Sequence, residues 1–235
     1  MESQKPKIAM YVKRPFGEKL NASFDFLKEN WKLLLKFTTY LLLPLCLIQA
    51  LSLNGLMSGA LSISAIASST AMAASSSSLI AFGSYYGLYM FLYLIGIILL
   101  TSLVYGLIRT YNEREERLQG VTLGMLKPRL FRNIKRLLLM TGACMLLVLF
   151  VGIFVGLLVA LTPFTLFLTI PFIIAFSVPL ALLAPIYLFE DITLMEAFKK
   201  TFRLGFATWG GVFLVSLLMG IIANVLQGVT MMPWY

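Results

Sequence analysis

The chain has 235 residues, of which 60% are hydrophobic and only 12% are charged, and its net charge is +9. Soluble domains usually carry about 25% charged residues, and one core of this size could not bury so many apolar side chains. Histidine is absent, which excludes histidine zinc sites, histidine general bases and Ser-His-Asp catalysis. Cys46 and Cys144 lie in apolar runs without metal-ligand spacing. The composition therefore predicts an integral membrane protein.

Charged residues are confined to three segments of the sequence. Residues 1–36 hold 8 basic and 4 acidic residues, residues 109–136 hold 8 and 3, and residues 190–203 hold 3 and 3. The run from Phe37 to Ile108 contains 72 residues and no Asp, Glu, Lys or Arg. A charged side chain at the centre of a bilayer costs about 2.5–3.5 kcal/mol on insertion scales. The charge-free runs are therefore predicted to contain membrane spans.

In chain order, a cytoplasmic basic segment with an amphipathic helix is predicted over residues 1–32, and a single transmembrane domain over residues 33–235. One span needs about 20 apolar residues. Five spans are predicted, at residues 33–53, 79–108, 137–161, 164–189 and 208–230. The fold class is therefore all-α, a polytopic transmembrane helix bundle. Residues 54–78 are rich in Ser, Ala and Gly, a composition typical of a flexible connector.

The distribution of charge also predicts an orientation. Loops rich in Lys and Arg remain on the cytoplasmic side of a membrane. With a cytoplasmic amino terminus and five spans, all three charged segments fall on that side. Topology, rather than nucleic-acid binding, therefore explains the basic charge. A Lys or Arg near the surface also attracts anionic headgroups by about 1 kcal/mol, so anionic membrane lipid is a predicted partner.

Each charged segment carries an apolar stripe at helical spacing that leads into a span. The stripes are Leu20, Phe24, Leu27 and Trp31; Leu123, Leu126, Leu130 and Ile134; and Leu194, Phe198, Phe202 and Trp209. Thr193 and Glu196 have the spacing of a capping box. Such helices beside a bilayer lie in the interface plane, so in-plane elbow helices are predicted at the cytoplasmic side. The alternative is the cytoplasmic end of a long transmembrane helix. In the second segment the two are evenly matched, because Pro128 either interrupts the stripe or begins the helix.

No catalytic, cofactor or metal site is predicted. All ten carboxylates lie outside the predicted spans, which argues against transport coupled to ions. Glu190 and Asp191 resemble an acid–base or metal pair, but no third ligand follows, and acids at the start of a helix explain them more simply. The charge cluster Glu113–Arg117 is interpreted as a solvated turn paired with itself.

Two further patterns concern helix packing. Span 164–189 contains Pro171, Pro179 and Pro185. Interrupted helices in transporters bind substrate where proline frees carbonyls, so these residues are candidates for a substrate path, although kinks within a packed bundle are commoner. The GxxxG segments Gly83–Gly87 and Gly152–Gly156 allow close helix contact. Packing within the chain is favoured for them, with homo-oligomerisation as the alternative.

The segment Thr193–Leu218 (TLMEAFKKTFRLGFATWGGVFLVSLL) resembles the recurring element of a broad group of bacterial membrane proteins, and Leu20–Phe37 (LNASFDFLKENWKLLLKF) is similar in the same way. That group has no established activity and is similar to the membrane domain attached to some glycerophosphodiester phosphodiesterases. The resemblance implies about six helices in a bacterial cytoplasmic membrane, one more than the spans predicted here. No catalytic residue carries over, because the phosphodiesterase chemistry belongs to a separate soluble domain.

The predicted function is therefore that of a non-catalytic integral membrane protein whose basic elbow helices organise lipid or partner proteins. The alternative is a transporter or permease for an uncharged or lipophilic solute, suggested by the prolines of the fourth span. A membrane-embedded lipid enzyme is a third hypothesis, but it requires an acid cluster that the sequence does not provide.

Overall fold

The computed structural model describes residues 7–9, 12–67, 75–162 and 164–231. Within these ranges the helices are α1 (Phe16–Ala67), α2 (Ser75–Glu113), α3 (Leu123–Leu161), α4 (Thr165–Leu180), α5 (Leu183–Phe189), α6 (Leu194–Ala207) and α7 (Trp209–Met231). Five helical stretches are long and apolar enough to cross a membrane: Phe16–Leu61, Ile80–Glu113, Leu123–Leu161, Thr165–Phe189 and Trp209–Thr230. The prediction of an all-α fold with five spans is confirmed.

The chain forms two compact units, Met1–Ile134 and Lys135–Tyr235, and helix α3 begins in the first and ends in the second. In the first unit, the core lies between α1, α2 and the start of α3. Its most deeply buried side chains are Leu103, Leu107, Tyr111 and Leu126. In the second unit, Leu183, Tyr187 and Ala197 of α5 and α6 form a small core, with Met140 and Cys144 of α3 packed against it.

The prediction of a flexible connector over residues 54–78 is wrong for most of that range, because residues 54–67 continue α1 and residues 75–78 begin α2; the remaining residues, 68–74, lie outside the described ranges. Small side chains serve close helix packing here. A Cβ atom added to Gly55 would lie 2.6 Å from the Tyr85 ring, and one added to Gly59 would lie 3.5 Å from Phe82. Gly55 and Gly59, which contributed to the prediction of a linker, therefore lie in a close α1–α2 contact.

The two GxxxG segments do not make such contacts. A Cβ atom added to Gly83, Gly87, Gly152 or Gly156 would meet no heavy atom of the described residues within 4 Å. The expectation that these glycines bring helices of the chain together is wrong for the described part of the molecule. Gly205 of α6 does so instead, since its added Cβ would lie 2.6 Å from the Cα of Pro179 in α4.

The three charged segments differ in how they join their spans. Helix α1 continues through the first segment and past Pro44, so the separate elbow predicted there is absent and the alternative of a long helix holds. Helix α3 begins at Leu123, so Pro128 lies inside it and does not start it. In the third segment α6 is a separate helix, and Thr208 divides it from α7.

Candidate functional site

The apolar stripe of the first segment faces away from the core. Phe24, Leu27 and Trp31 are exposed, with Trp31 55% accessible, whereas Phe26 and Phe37 of the same helix are buried in the core; Leu20 is half-buried. Helix α1 therefore has one apolar face for the protein and a second that is available to lipid.

The stripes of the second and third segments pack on protein instead. Leu130 lies in the core of the first unit, and Leu123 packs against that core. In the second unit, Leu194 and Phe198 pack against the small core of α5 and α6, while Phe202 contacts the ring of Phe176 in α4. The prediction that all three stripes face the membrane interface is therefore wrong for Leu126 and Leu130, which are buried in the core. For the first stripe it stays a prediction, and the exposure of Phe24, Leu27 and Trp31 is compatible with it.

An ion-pair network joins the helices at the charged end of the first unit. Arg117 donates to the Glu29 carboxylate at 2.6 Å, and the Tyr111 hydroxyl donates to the other oxygen of the same carboxylate at 3.2 Å. The hydrogen bond to Glu29 raises the pKa of the Arg117 guanidinium above its ordinary value. On the other side of α2, Glu113 accepts from Arg109 at 2.9 Å and from Arg129 of α3 at 2.6 Å.

The interpretation of Glu113–Arg117 as a turn paired with itself is only partly right. Within that cluster and its immediate neighbours, Arg114 pairs with Glu116 at 3.0 Å. Glu113 and Arg117, at its two ends, pair with α3 and α1 as described above. The cluster therefore links α1, α2 and α3 through ion pairs. Arg117 has a φ of 58° and Gly120 a φ of 67°, which reverse the chain direction between α2 and α3.

In the second unit, Arg136 of α3 is bonded mainly to backbone. Its guanidinium donates to the carbonyls of Tyr187 at 2.6 Å and Ile192 at 2.8 Å, lies 4.1 Å from the centre of the Tyr187 ring, and is 3.4 Å from the Asp191 carboxylate. Carbonyls at the end of a helix have no partner within the helix. The Arg136 side chain therefore caps the carboxyl-terminal end of α5 by bonding to carbonyls there.

The interpretation of Glu190 and Asp191 as acids at the start of the helix after Thr193 is only partly right, because both precede that helix but their carboxylates pair with basic side chains. Glu190 is the residue that ends α5, and its carboxylate pairs with Lys200 of α6 at 2.6 Å. Asp191 has a φ of 52°. The next helix begins after Thr193, where the predicted capping box with Glu196 is confirmed. The backbone N–H of Thr193 bonds to the Glu196 carboxylate and lowers its pKa.

Arginines pair with Glu29, Glu113, Glu116 and Asp191, whereas most of the described lysines have no such partner. Among the described residues, several lysines have no carboxylate within ion-pair distance: Lys13, Lys19, Lys28, Lys32, Lys36, Lys127, Lys135 and Lys199. The guanidinium fork suits bidentate pairing, whereas a lysine ammonium is a hydrated point charge. These lysines are therefore free to meet an external anion.

Two of these lysines line a groove on the exposed face of α1. The groove has a volume of about 920 Å³ and is lined by Trp31, Lys32, Leu35, Lys36, Phe37, Thr39, Tyr40, Leu43, Pro44 and Leu123. The Lys32 ammonium lies 5.9 Å from the centre of the Trp31 ring. A smaller cavity of about 330 Å³, lined by polar residues such as Asn30 and Gln119, shares Trp31 and Lys32 in its wall. The apolar stripes in the sequence pointed to Trp31 and Leu123 but not to the lysine pair. The signal for that pair is the i, i+4 spacing of Lys32 and Lys36 immediately before the long charge-free run.

The candidate substrate-path prolines are spread along α4 and α5. Pro171 is exposed, Pro179 is buried against Gly205, and Pro185 is half-buried in α5. Proline has no N–H, so Pro179 cannot donate to the carbonyl of Ala175. The Trp209 indole donates to that carbonyl at 3.1 Å. No group of three His, Cys, Asp or Glu residues that could hold a metal occurs in the described part of the chain.

Helical spans with exposed apolar side chains define an integral membrane protein; in α3, none of the residues in the most apolar window is buried. No family model, curated protein or solved structure matches the chain.

Proposed function

We propose that this protein is a non-catalytic component of a bacterial cytoplasmic membrane that holds anionic lipid at its basic, cytoplasmic end. The observation that carries the proposal is the set of unpaired lysines. Six ion pairs among described residues engage arginines in all but one case. The lysines that remain lie in the segments that lead into the spans.

The number of unpaired lysines matters for lipid binding as well as their position. Each Lys or Arg near an anionic surface contributes about 1 kcal/mol, and the effect decays within a Debye length of about 8 Å at physiological ionic strength. Several unpaired lysines on one side therefore give a strong preference for anionic over zwitterionic lipid. The same charge supports a cytoplasmic amino terminus, because basic segments are retained on that side.

Absence of catalysis is part of the proposal. Glu29, Glu113, Glu190 and Asp191 are engaged by arginine or lysine, and Glu196 is part of a helix cap. A carboxylate held by an ion pair or a helix cap has a structural role and is not free to exchange a proton with a substrate. Protein partners are left open, and a nucleic-acid partner is not proposed.

The test is the lipid composition around the purified protein. The full chain is reconstituted into nanodiscs with equal parts of phosphatidylglycerol and phosphatidylcholine, and the retained lipid is measured by mass spectrometry after detergent exchange. We expect enrichment of phosphatidylglycerol that falls as salt is raised. Retention of the two lipids in the ratio supplied, at low salt, contradicts the proposal.

Transport of a lipophilic solute is the second candidate, and the interruption between α4 and α5 at residues 181–182 favours it. The test is the rate at which fluorescent phospholipid crosses vesicles that contain the protein. The first proposal predicts the rate of empty vesicles. A rate that rises with protein content, and that falls when Trp209→Phe removes the donor to the Ala175 carbonyl, supports transport instead.

A further inference from the structure

We propose that the groove of α1 between Trp31 and Pro44 binds one anionic glycerophospholipid, with its phosphate at Lys32 and Lys36 and one acyl chain along the apolar wall. This inference rests on the proposed function and names the site at which the lipid is held.

The two lysines supply the charge complementarity. Lys32 and Lys36 are spaced i, i+4 and therefore lie on one face of the helix. Both are exposed, and neither has a carboxylate within ion-pair distance among the described residues. Lysine binds phosphate as a point charge, without the planar geometry that arginine requires. Two ammonium groups one helical turn apart can thus share the oxygens of one phosphate.

The wall beyond the lysines suits an acyl chain. Tyr40 and Leu43 continue the face of Lys36, and Leu123 of α3 lines the groove with them. Lys36 and Pro44 are separated by about 12 Å along the helix axis, at 1.5 Å per residue. One leaflet contributes about 15 Å of the hydrocarbon thickness of a bilayer. The apolar part of the groove therefore spans about four-fifths of one leaflet, which is enough for most of one acyl chain, and ends within that leaflet.

The position of the groove relative to the charge pattern favours a lipid over a soluble anion. Lys36 is the last charged residue before the charge-free run that begins at Phe37. The lysines are therefore at the level of headgroups, and the wall beyond them is at the level of hydrocarbon. A phosphate without an acyl chain would leave that wall uncovered.

Trp31 lines the groove and reports its occupancy. The full chain is placed in phosphatidylcholine vesicles with increasing fractions of brominated phosphatidylglycerol or brominated phosphatidylcholine. The emission of Trp31 is taken as the difference between the wild-type protein and Trp31→Phe, so that Trp209 and Trp234 cancel. We expect phosphatidylglycerol to quench Trp31 at a fraction about 25-fold lower than phosphatidylcholine, since each of the two lysines contributes about fivefold at low salt.

Charge variants locate the site. The double variant Lys32→Gln/Lys36→Gln should abolish the preference for phosphatidylglycerol, and Lys32→Arg/Lys36→Arg should retain it. The matched control is Lys19→Gln/Lys28→Gln, which removes the same charge from unpaired lysines of the same helix that do not line the groove. It should leave the preference of Trp31 within about twofold of wild type.

A second pair of variants tests the acyl-chain wall. Leu43→Phe fills the groove and should weaken quenching by phosphatidylglycerol several-fold. Leu47 is one turn further along α1, is exposed and does not line the groove, so Leu47→Phe should leave quenching unchanged. Equal effects of the two substitutions overturn the assignment of the wall.

The remaining outcomes separate this site from the broader function. If both lysine pairs affect the preference equally, or only the control pair does, the site is wrong while anionic-lipid binding stands. If the wild-type protein shows no preference at all, both fail. Inorganic phosphate at matched ionic strength should not relieve the quenching, and full relief overturns a lipid occupant in favour of a free anion. Trp31 that is quenched by neither lipid, because another protein segment covers the groove, also overturns it.

Discussion

The charged segments of the two units are held by different means. In the first unit the helices are long and uninterrupted, and side chains pair with side chains, as in the ion pair between Glu29 and Arg117, which are 88 residues apart. In the second unit α4, α5 and α6 are short, and Arg136 bonds to backbone carbonyls at the end of α5. Every helix end leaves carbonyls that require partners. In the second unit Arg136 therefore satisfies carbonyls at an internal helix end, whereas in the first unit Arg117 and Arg129 reach carboxylates on α1 and α2.

The largest effect that follows from this difference concerns the close contact of the broken helices. Gly205→Ala places a Cβ atom 2.6 Å from the Cα of Pro179, which is backbone and cannot rotate away. We expect a loss of about 3 kcal/mol in the free energy of unfolding, the upper part of the range for overpacking. The measurement is unfolding by SDS in mixed micelles.

Gly210→Ala is the matched control in the same unit, because a Cβ atom there meets no described heavy atom within 4 Å. Alanine is the better helix former by about 1 kcal/mol, so the control should raise stability slightly. A Gly205→Ala protein that is as stable as the Gly210→Ala protein would show that α4 and α6 are not in contact through this glycine.

The second prediction concerns the capping of the end of α5 by Arg136. Arg136→Lys keeps the charge but cannot reach the carbonyls of Tyr187 and Ile192 together. We expect a loss of about 2 kcal/mol, in line with hydrogen bonds made by a charged donor. Arg203→Lys is the control, since Arg203 is exposed on α6 and has no carboxylate within ion-pair distance among the described residues. Equal stability of the two variants would contradict the role of Arg136.

The sequence was sufficient for the five spans because hydropathy and charge are local properties. It was insufficient wherever the partner is distant in sequence. Ser, Ala and Gly over residues 54–67 are equally typical of a linker and of a tight helix pair, and the deciding contact is between Gly55 and Tyr85, 30 residues later. Stripe periodicity likewise does not distinguish Phe24, which is exposed, from Leu130, which is enclosed by α1 and α2.

The candidate lipid site was partly predictable, because some of its features are local in the sequence and others depend on distant contacts. The spacing of Lys32 and Lys36 is visible in the sequence, and so is the apolar run that follows. The wall contributed by Leu123 is not, because it depends on how the start of α3 packs against α1. Nor does the sequence show which basic residues are unpaired, since that depends on the arginines that reach Glu29 and Glu113.

The third prediction concerns the ion pair between Arg117 and Glu29 in the first unit. Arg117 and Glu29 are 19% and 29% exposed in their ion pair, so their attraction is partly screened. A double-mutant cycle of Glu29→Gln and Arg117→Gln should give a coupling of about 1 kcal/mol, the upper end for such pairs, and it should shrink as salt is raised. Glu18→Gln with Arg117→Gln is the control cycle, for which we expect no coupling. A Glu29–Arg117 coupling that is absent at low salt would show that the turn is not fastened to α1 by this pair.

The smallest effect is expected at the helix start of the second unit. Thr193→Ala removes the side-chain acceptor for the Glu196 N–H and should cost about 0.5 kcal/mol, the lower end for exposed caps. The Glu196 carboxylate accepts from the Thr193 N–H, and this bond lowers its pKa. A lowered pKa in the folded state means that the stabilisation is present above the ordinary carboxyl pKa of about 4.3 and is lost as the pH falls through the lowered value. Glu196→Gln should therefore be less stable than wild type at pH 7, and the difference should shrink as the pH is lowered to about 3, as measured by unfolding in mixed micelles. A difference that stays constant between these pH values would show that the charge of Glu196 contributes nothing to the cap, and that the helix start depends on Thr193 alone.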